Sequence, residues 1–281
     1  MNAVFEGRFN LKFNLIKAYT DIGLRDDDAE LNARIYGLSP EEYAEAIAMF
    51  EKSNMENAAT VLAGYEAAFG VFCPDTEATH RIAYLGDSIT SDRESHQHIV
   101  REILKGCPNI TFHDFSISGF KASDIFTAYY PGIPDFAPDI AVLMVGTNDM
   151  RVTDDEYGYY HGGIDEFARN IDYIVAKLAA AGTRVIVCTL PPFDMEKMRA
   201  ALDGWHILYR EEGRRRYDEA IAAAAEAHGA DLVDMRPVYA CHDAKDLTIE
   251  DGLHLNGKGQ ALLAGHIFSK LAPMVGEAAG Q

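Results

Sequence analysis

The hydrophobic positions of the first 78 residues recur at helical spacing. Ser39-Pro40-Glu41-Glu42 is a capping box with proline at the first helical position, so it predicts the start of a helix. Two apolar faces follow, the second ending at Gly70, and they comprise Tyr43, Ile47, Phe50, Ala58, Val61, Leu62, Tyr65 and Phe69. Earlier helices are expected near residues 9–20 and 27–36. The pattern therefore predicts a helical N-terminal region.

From His80 onward, short apolar runs alternate with longer amphipathic stretches. The runs predict strands at residues 82–85, 110–112, 140–145, 185–190 and 232–233. The amphipathic stretches predict helices at residues 94–105, 121–129, 164–181, 207–228 and 257–273. Such alternation is typical of a parallel sheet covered on both faces, here a five-stranded, flavodoxin-like three-layer α/β/α sandwich. We therefore predict a helical extension over residues 1–78 and an α/β domain over residues 79–281.

Composition narrows the classes of partner. The 281 residues are 48% hydrophobic, enough for a sizeable core, and 44 acidic against 25 basic residues give a net charge of −19. Such a chain repels phosphate backbones and anionic membrane surfaces, so neither nucleic acid nor a membrane is expected as a partner. No apolar run approaches the ~18 residues of a membrane span.

The four cysteines are far apart in the sequence and form no C-x-x-C pair. The first 23 residues also lack a basic region followed by an uninterrupted apolar core, which a secretory signal needs. We therefore expect a cytoplasmic protein with reduced, mostly buried thiols. A mature secreted form that had lost its leader would have the same features.

A candidate nucleophile and a candidate base stand at opposite ends of the α/β region. Ser88 directly follows the first predicted strand, where α/β folds carry their reactive groups. A serine hydroxyl is a weak nucleophile, so it needs a base, and the base needs an orienting partner. Asp251 and His254, three residues apart before the last predicted helix, could form that pair. The alternatives are an ordinary turn serine, and helix capping by Asp251 or Asn256.

Two further loops could supply hydrogen-bond donors to the same crevice. Asn148 follows the most apolar predicted strand, and its side-chain amide could point into the site. Gly119 follows the second strand, and a glycine lets its backbone N–H approach a ligand closely. The alternatives are an Asx turn at Asn148 and an ordinary turn at Gly119. In combination, the four loops place a nucleophile, a base and two donors at one edge of a sheet.

These four loops, in this order, resemble the SGNH, or GDSL-type, esterase and lipase superfamily. That family carries four sequence blocks, which are G-D-S (the first block), a glycine after the second strand (the second block), G-x-N-D (the third block) and D-x-x-H (the fourth block). The resemblance covers about residues 80–273. It implies a nucleophile, a base and an orienting acid, which are Ser88, His254 and Asp251. It also implies an oxyanion hole formed by the backbone N–H groups of Ser88 and Gly119 and the side chain of Asn148. The implied reaction is acyl transfer without a cofactor or a metal.

Two stretches differ from the family. The family often carries Asn five residues before the glycine of the second block, and this chain has Asp114. Residues 91–96 are unusually charged, so we expect them to line the edge of the pocket and to disfavour a long acyl chain. A solvated helix start explains them equally well. His96 and His98 suggest no metal site, because side chains at i and i+2 of a helix point apart.

Four residues are candidates for contact with the substrate: Asp87, Tyr157, Phe193 and Trp205. The loop over residues 191–206 should overhang the crevice, and the tyrosines near position 157 could stack on a sugar ring. An aromatic packing patch is the alternative for those tyrosines. The N-terminal helices could cap the pocket, form a homo-oligomer interface, or pack on the outer helices of the sheet.

The sequence thus predicts a serine esterase that acts on a small, polar carboxylic ester, such as an acetyl group on a carbohydrate. One alternative is an acyltransferase with the same triad, which passes the acyl group to an alcohol instead of water. A second alternative is a non-catalytic binding protein of the same fold. Against it, a binding role alone gives no physical reason for a paired acid and base.

Overall fold

A computed structural model describes residues 3–22, 25, 27–65, 79–107, 109–126, 132–153, 157–201 and 206–276. Its central sheet has five parallel strands, which are β1 His80–Gly86, β2 Ile110–Asp114, β3 Ile140–Met144, β5 Arg184–Cys188 and β7 Asp231–Val233. Their order across the sheet is β2-β1-β3-β5-β7. This is the flavodoxin-like order, so the predicted three-layer α/β/α architecture is confirmed. Two short strands, β4 Val152–Thr153 and β6 Ile207–Leu208, form a separate antiparallel ribbon.

Helices flank the sheet on both faces and precede it in the chain. The N-terminal ones are α1 Ala3–Lys12, α2 Ala29–Ile35 and α3 Pro40–Tyr65. Those that follow β1 are α4 Ser88–Ser91, α5 His96–Ile103, α6 Ile133–Phe136, α7 Ile164–Ala180, α8 Met195–Ala201, α9 Glu211–His228, α10 Arg236–Tyr239 and α11 Gly257–Gly276. Short 3-10 helices cover Leu15–Ile22, Ala122–Asp124 and Ala244–Asp246. No helix among these described elements is long and apolar enough to cross a membrane.

The inner strands β1, β3 and β5 are mostly buried because helices cover both faces of the sheet, whereas alternate residues of the edge strand β2 are exposed. Every residue of β3 is buried, and alternate residues enter different cores. Val142 and Met144 pack with α5 and α11, whereas Ala141 and Leu143 pack with α7 and α9. Burial on both faces explains why this strand is a continuous apolar run and not an alternating one.

The N-terminal helices pack on this domain. The capping box at the start of α3 forms as predicted, since the Glu42 N–H donates to Ser39 Oγ at 3.1 Å and Glu42 Oε2 accepts from the Ser39 N–H at 2.8 Å. The two apolar faces expected after it lie on one 26-residue helix, and the end expected at Gly70 lies outside the described residues. Near its C-terminal end, Ala58 and Val61 enter the core that α5 and α11 share with the sheet. Packing on the outer helices is therefore what the structure shows, and oligomerisation stays a prediction.

Two predictions about local structure were wrong, and a third is confirmed only in part. Of the helix predicted over residues 121–129, the described part has a 3-10 turn at Ala122–Asp124 that continues as α-helix at residues 125–126, and residues 127–129 lie outside the described residues. Residues 207–208 pair with β4 instead of starting a helix, which begins at Glu211. The thiols are less buried than expected: Cys188 is buried, Cys107 is partly buried and Cys241 is exposed, while Cys73 lies outside the described residues.

Candidate active site

Ser88 lies at the turn that follows β1, at the carboxyl ends of the strands, where β1 is flanked by β2 and β3. Asp87 caps the short helix α4 by accepting the Ile89 N–H at 3.0 Å through its side chain. Ser88, the first residue of that helix, is 8% exposed. The turn thus fixes the backbone on both sides of the hydroxyl, which can point out of the sheet edge.

The structure brings Ser88, His254 and Asp251 into one hydrogen-bonded chain. His254 Nε2 lies 2.8 Å from Ser88 Oγ, and His254 Nδ1 lies 2.6 Å from Asp251 Oδ2. Asp251 Oδ1 also accepts the backbone N–H groups of Leu253 and His254. In the tautomer whose Nδ1–H donates to the carboxylate, Nε2 is unprotonated and can accept the Ser88 hydroxyl proton. This is the arrangement of a nucleophile, a base and an orienting acid.

The loop that carries Asp251 is braced by its neighbours. The Asp194 N–H donates to the Gly252 carbonyl at 2.7 Å. Gly252 has a φ of +70°, and a Cβ there would lie 2.3 Å from the Asp194 carbonyl oxygen, so only glycine fits this contact. The close approach therefore fixes the turn that sets Asp251 beside His254.

The loops that carry the candidate oxyanion donors Gly119 and Asn148 are tied to each other, and the second-block loop is tied to the end of β1. The Ile117 N–H donates to the Gly86 carbonyl at 3.1 Å, which holds the second-block loop against the end of β1. Gly119 is exposed, with a φ of +89° and open space where a side chain would be. Asn148 Nδ2 donates to the Phe120 carbonyl at 2.9 Å, which ties the third block to the same loop.

Arg151 fixes the orientation of the Asn148 amide. Its guanidinium donates to Asn148 Oδ1 at 2.8 Å and, through Nε, to the Tyr209 hydroxyl at 3.3 Å. With Oδ1 occupied in this way, Nδ2 donates one of its two hydrogens to the Phe120 carbonyl, so one hydrogen is left that a ligand could accept.

Burial and hydrogen bonding shift the carboxyl groups of the site in different directions. Burial raises the pKa of Asp87 to about 6. Burial and the charge of Asp87 raise the pKa of Asp149 to about 7, although the hydrogen bond that its carboxylate accepts from the Ala122 N–H acts to lower this pKa. Burial would also raise the pKa of Asp251, but the hydrogen bond and charge of His254 outweigh it, so this pKa is lowered. Asp251 therefore stays ionised beside the imidazole across the neutral range.

An N-terminal segment over residues 12–17, which motif reasoning missed, reaches the same site. The Phe13 ring lies 4.0 Å from the His254 ring, centroid to centroid, at an interplanar angle of 34°. The carbonyl of Phe13 accepts hydrogen bonds from Ser118 and Ser91. The chain carries no local signal for these contacts, because Ser118 and Phe13 are 105 positions apart.

The charged stretch over residues 91–96 has a different role from the expected one. Lys12 bonds to Asp92 at 3.0 Å and also pairs with Glu94, while Arg93 donates to the Leu11 carbonyl at 3.1 Å. These side chains bind the N-terminal segment, so they do not form a polar pocket edge. The inference from charge to acyl-chain length therefore loses its basis.

The four candidates for substrate contact have different positions. Asp87 is fully buried and caps its own turn, so its assignment to substrate binding was wrong. Phe193 is partly buried and packs against Tyr209 with the rings 5.6 Å apart. Tyr157 is 82% exposed, and Trp205 lies outside the described residues. Substrate contact by Phe193, Tyr157 and Trp205 stays a prediction.

Known proteins share this architecture. One crystal structure is described as an acetyl xylan esterase, AlAXEase; it aligns with a TM-score of 0.55 and 23% identity over 68% of this chain and 99% of its own. The lipase/acylhydrolase from Enterococcus faecalis aligns with a TM-score of 0.58 and 18% identity, over 70% of this chain and 97% of its own. At these identities the likeness is one of fold.

Sequence comparison gives the family. The GDSL esterase/lipase CPRD49 from Arabidopsis thaliana is 22% identical over 153 residues, which are 53% of this chain and 60% of that relative. Residues 84–262 match the model of the GDSL-like lipase/acylhydrolase family. This match spans more than half of the sequence and contains every block that carried the predicted resemblance. The chain therefore belongs to the GDSL-like lipase/acylhydrolase family, and its predicted class, a GDSL-type hydrolase, is confirmed.

Proposed function

We propose that this protein is a serine esterase that hydrolyses small, polar carboxylic esters through an acyl-enzyme. The observation that carries the proposal is the chain of contacts from Asp251 through His254 to Ser88, with N···O separations of 2.6 and 2.8 Å. Family membership supports the same reaction, since the blocks of the family coincide with these residues.

In the first step, Ser88 Oγ attacks the ester carbonyl carbon while His254 Nε2 takes the hydroxyl proton. The imidazolium that forms is stabilised by the Asp251 carboxylate, which does not itself become protonated. His254 then gives the proton to the departing alkoxide, so that an alcohol leaves and an acyl-Ser88 ester remains. Water, deprotonated by the same imidazole, attacks this ester, and His254 gives that proton to the departing Ser88 Oγ as the carboxylic acid is released.

The negative charge on the carbonyl oxygen is stabilised by donors that are already in position. The backbone N–H groups of Ser88 and Gly119 and the free Nδ2 hydrogen of Asn148 serve this role. In comparable enzymes the loss of one such donor lowers kcat by about 10²–10³-fold. The hydrogen bond from Arg151 to Asn148 Oδ1 means that the amide need not reorient as the charge develops.

An acetyl group on a carbohydrate is the substrate we favour. The likeness in fold to an acetyl xylan esterase supports this choice. Phe13, 4% exposed and packed on His254, also supports a small acyl group, because it takes up space beside the nucleophile. A pure preparation assayed against a panel of acetylated sugars and lipids would identify the alcohol.

Substitution of Ser88 by alanine tests the proposal. We expect Ser88→Ala to lower the hydrolysis of p-nitrophenyl acetate by at least about 10³-fold with no change in the midpoint of thermal unfolding. Ser269→Ala, which removes a hydroxyl that bonds only within helix α11, is the matched control and should retain full activity. Equal activity of Ser88→Ala and the wild type would refute the nucleophile.

Product analysis separates the esterase from an acyltransferase with the same triad. With an acetyl ester and a competing alcohol at high concentration, an esterase releases mainly acetate, whereas an acyltransferase forms mainly the new ester. A protein that binds esters without either product would be the non-catalytic alternative.

A further inference from the structure

The N-terminal segment over residues 12–17 is held against the active-site loops by contacts on both sides of Phe13. On its N-terminal side, Lys12 pairs with Asp92, and the Lys12 carbonyl accepts the Arg93 N–H at 2.8 Å. On its C-terminal side, Lys17 Nζ lies 2.5 Å from Asp114 and donates to the Ser116 carbonyl at 2.7 Å. The segment is therefore attached to the loops of the first and second blocks.

The contact at Asp114 gives a reason for the departure from the family pattern. The family often carries a neutral Asn at this position, whereas here a carboxylate meets a cation from the N-terminal segment. The same carboxylate accepts the Ser116 N–H at 2.8 Å. The unusual acid and the added segment thus fit each other, and both lie beside the loop that carries Gly119.

Phe13 lies between the two anchored ends and is fixed in place. Its carbonyl accepts the Ser118 hydroxyl at 2.9 Å, and its ring packs edge-on against Phe9 with the centroids 5.0 Å apart. Its other neighbour is the imidazole of His254, at 4.0 Å. Two rings at this separation are in van der Waals contact, so no methylene group fits between them.

We propose that the 12–17 segment forms a wall of the active site and that Phe13 limits the length of the acyl group that the site accepts. This inference rests on the proposed esterase reaction. An ester that presents its carbonyl oxygen to Gly119 and its carbonyl carbon to Ser88 has its acyl group near the gap between the second-block loop and His254. Phe13 bridges that gap, since it contacts both Ser118 and His254. A methyl group needs little space there, and a longer chain meets the ring.

Phe13→Ala tests the inference with p-nitrophenyl acetate and butyrate. Each methylene buried in the space that the ring vacates should raise kcat/KM by about fourfold. The two additional methylenes of butyrate should therefore raise the ratio of kcat/KM for butyrate over acetate by about 15-fold relative to the wild type. Phe13→Leu, which keeps an apolar side chain there, should give a smaller rise and serves if Phe13→Ala does not fold.

Leu62→Ala is the matched control, because Leu62 is on α3, outside the 12–17 segment, and is 40% exposed. It should leave the butyrate-to-acetate ratio unchanged. An unchanged ratio in a folded Phe13 variant, or an equal loss on both esters, would overturn the role in acyl length. Failure of the esterase proposal itself would give a different result, because the wild type would then show no ester hydrolysis that is lost in Ser88→Ala.

Discussion

The loops that carry the catalytic groups and the N-terminal segment that covers them are held in place by different kinds of contact. Asp87 and Asp251 each accept backbone N–H groups two or three residues further along the chain. The 12–17 segment depends on contacts such as Lys17 with Ser116, 99 positions apart. Local bonds shape the turns beside Ser88 and His254, whereas long-range pairs alone attach the proposed wall for the substrate. Substitutions that remove the local contacts should therefore abolish hydrolysis, and substitutions that remove the long-range contacts should change substrate selectivity and stability.

Asp251→Asn should produce the largest effect. The amide oxygen can still accept the Leu253 and His254 N–H groups, so the loop should keep its shape. Its NH₂ group, however, then faces His254 Nδ1, which must accept, and Nε2 becomes protonated and cannot serve as a base. We expect kcat to fall on the order of 10³–10⁴-fold with an unchanged thermal midpoint. Steady-state hydrolysis of p-nitrophenyl acetate measures this, and a kcat within threefold of wild type would contradict the role of Asp251.

The difference between local and long-range contacts also explains which parts of the candidate site could be predicted from the sequence. The residues of the proposed triad and oxyanion hole lie in short motifs at strand ends or before the last helix, where the residues themselves specify the turn, as Asp251 does for His254. The contact of Phe13 with His254 joins two distant segments and leaves no pattern at either one. The error at residues 207–208 has a similar cause, because these residues pair with β4 and tertiary pairing outweighs helical propensity there.

Arg151→Met probes a contact intermediate between the two kinds. The substitution removes the donor to Asn148 Oδ1, so the amide is free to turn away from the crevice. We expect kcat to fall about 10- to 100-fold, less than the loss on removal of the amide itself, with little change in KM. Arg151→Lys, which can still donate to Oδ1, should recover part of the loss. Equal rates for Arg151→Met and the wild type would show that Phe120 alone orients the amide.

Lys17→Met should have the smallest effect on the chemistry and a measurable effect on stability. It removes the cation beside Asp114, whose side chain is 15% exposed. Burial alone would raise the pKa of Asp114, but the charge and hydrogen bond of Lys17 lower it to about 2. A lowered pKa means that the ionised carboxylate stabilises the folded state above the unfolded pKa of about 3.9, and that this stabilisation is lost as the pH falls toward 2. The variant should therefore lose about 3 kcal/mol in the free energy of unfolding at pH 7, and less at pH 4.

Lys52→Met is the matched control for this prediction, because the Lys52–Glu56 pair is on an exposed face of α3, with 72% of the Lys52 side chain accessible. An exposed pair of this kind contributes at most about 0.5 kcal/mol, so the control should unfold in urea like the wild type at both pH values. If Lys17 also holds Phe13 in position, Lys17→Met should raise the ratio of kcat/KM for butyrate over acetate, as Phe13→Ala does, but by a smaller factor. An equal loss of stability at pH 7 and pH 4 would show that Lys17 contributes through the packing of its aliphatic stem and not through its charge. In that case the ion pair would not be the contact that holds the 12–17 segment against the second-block loop.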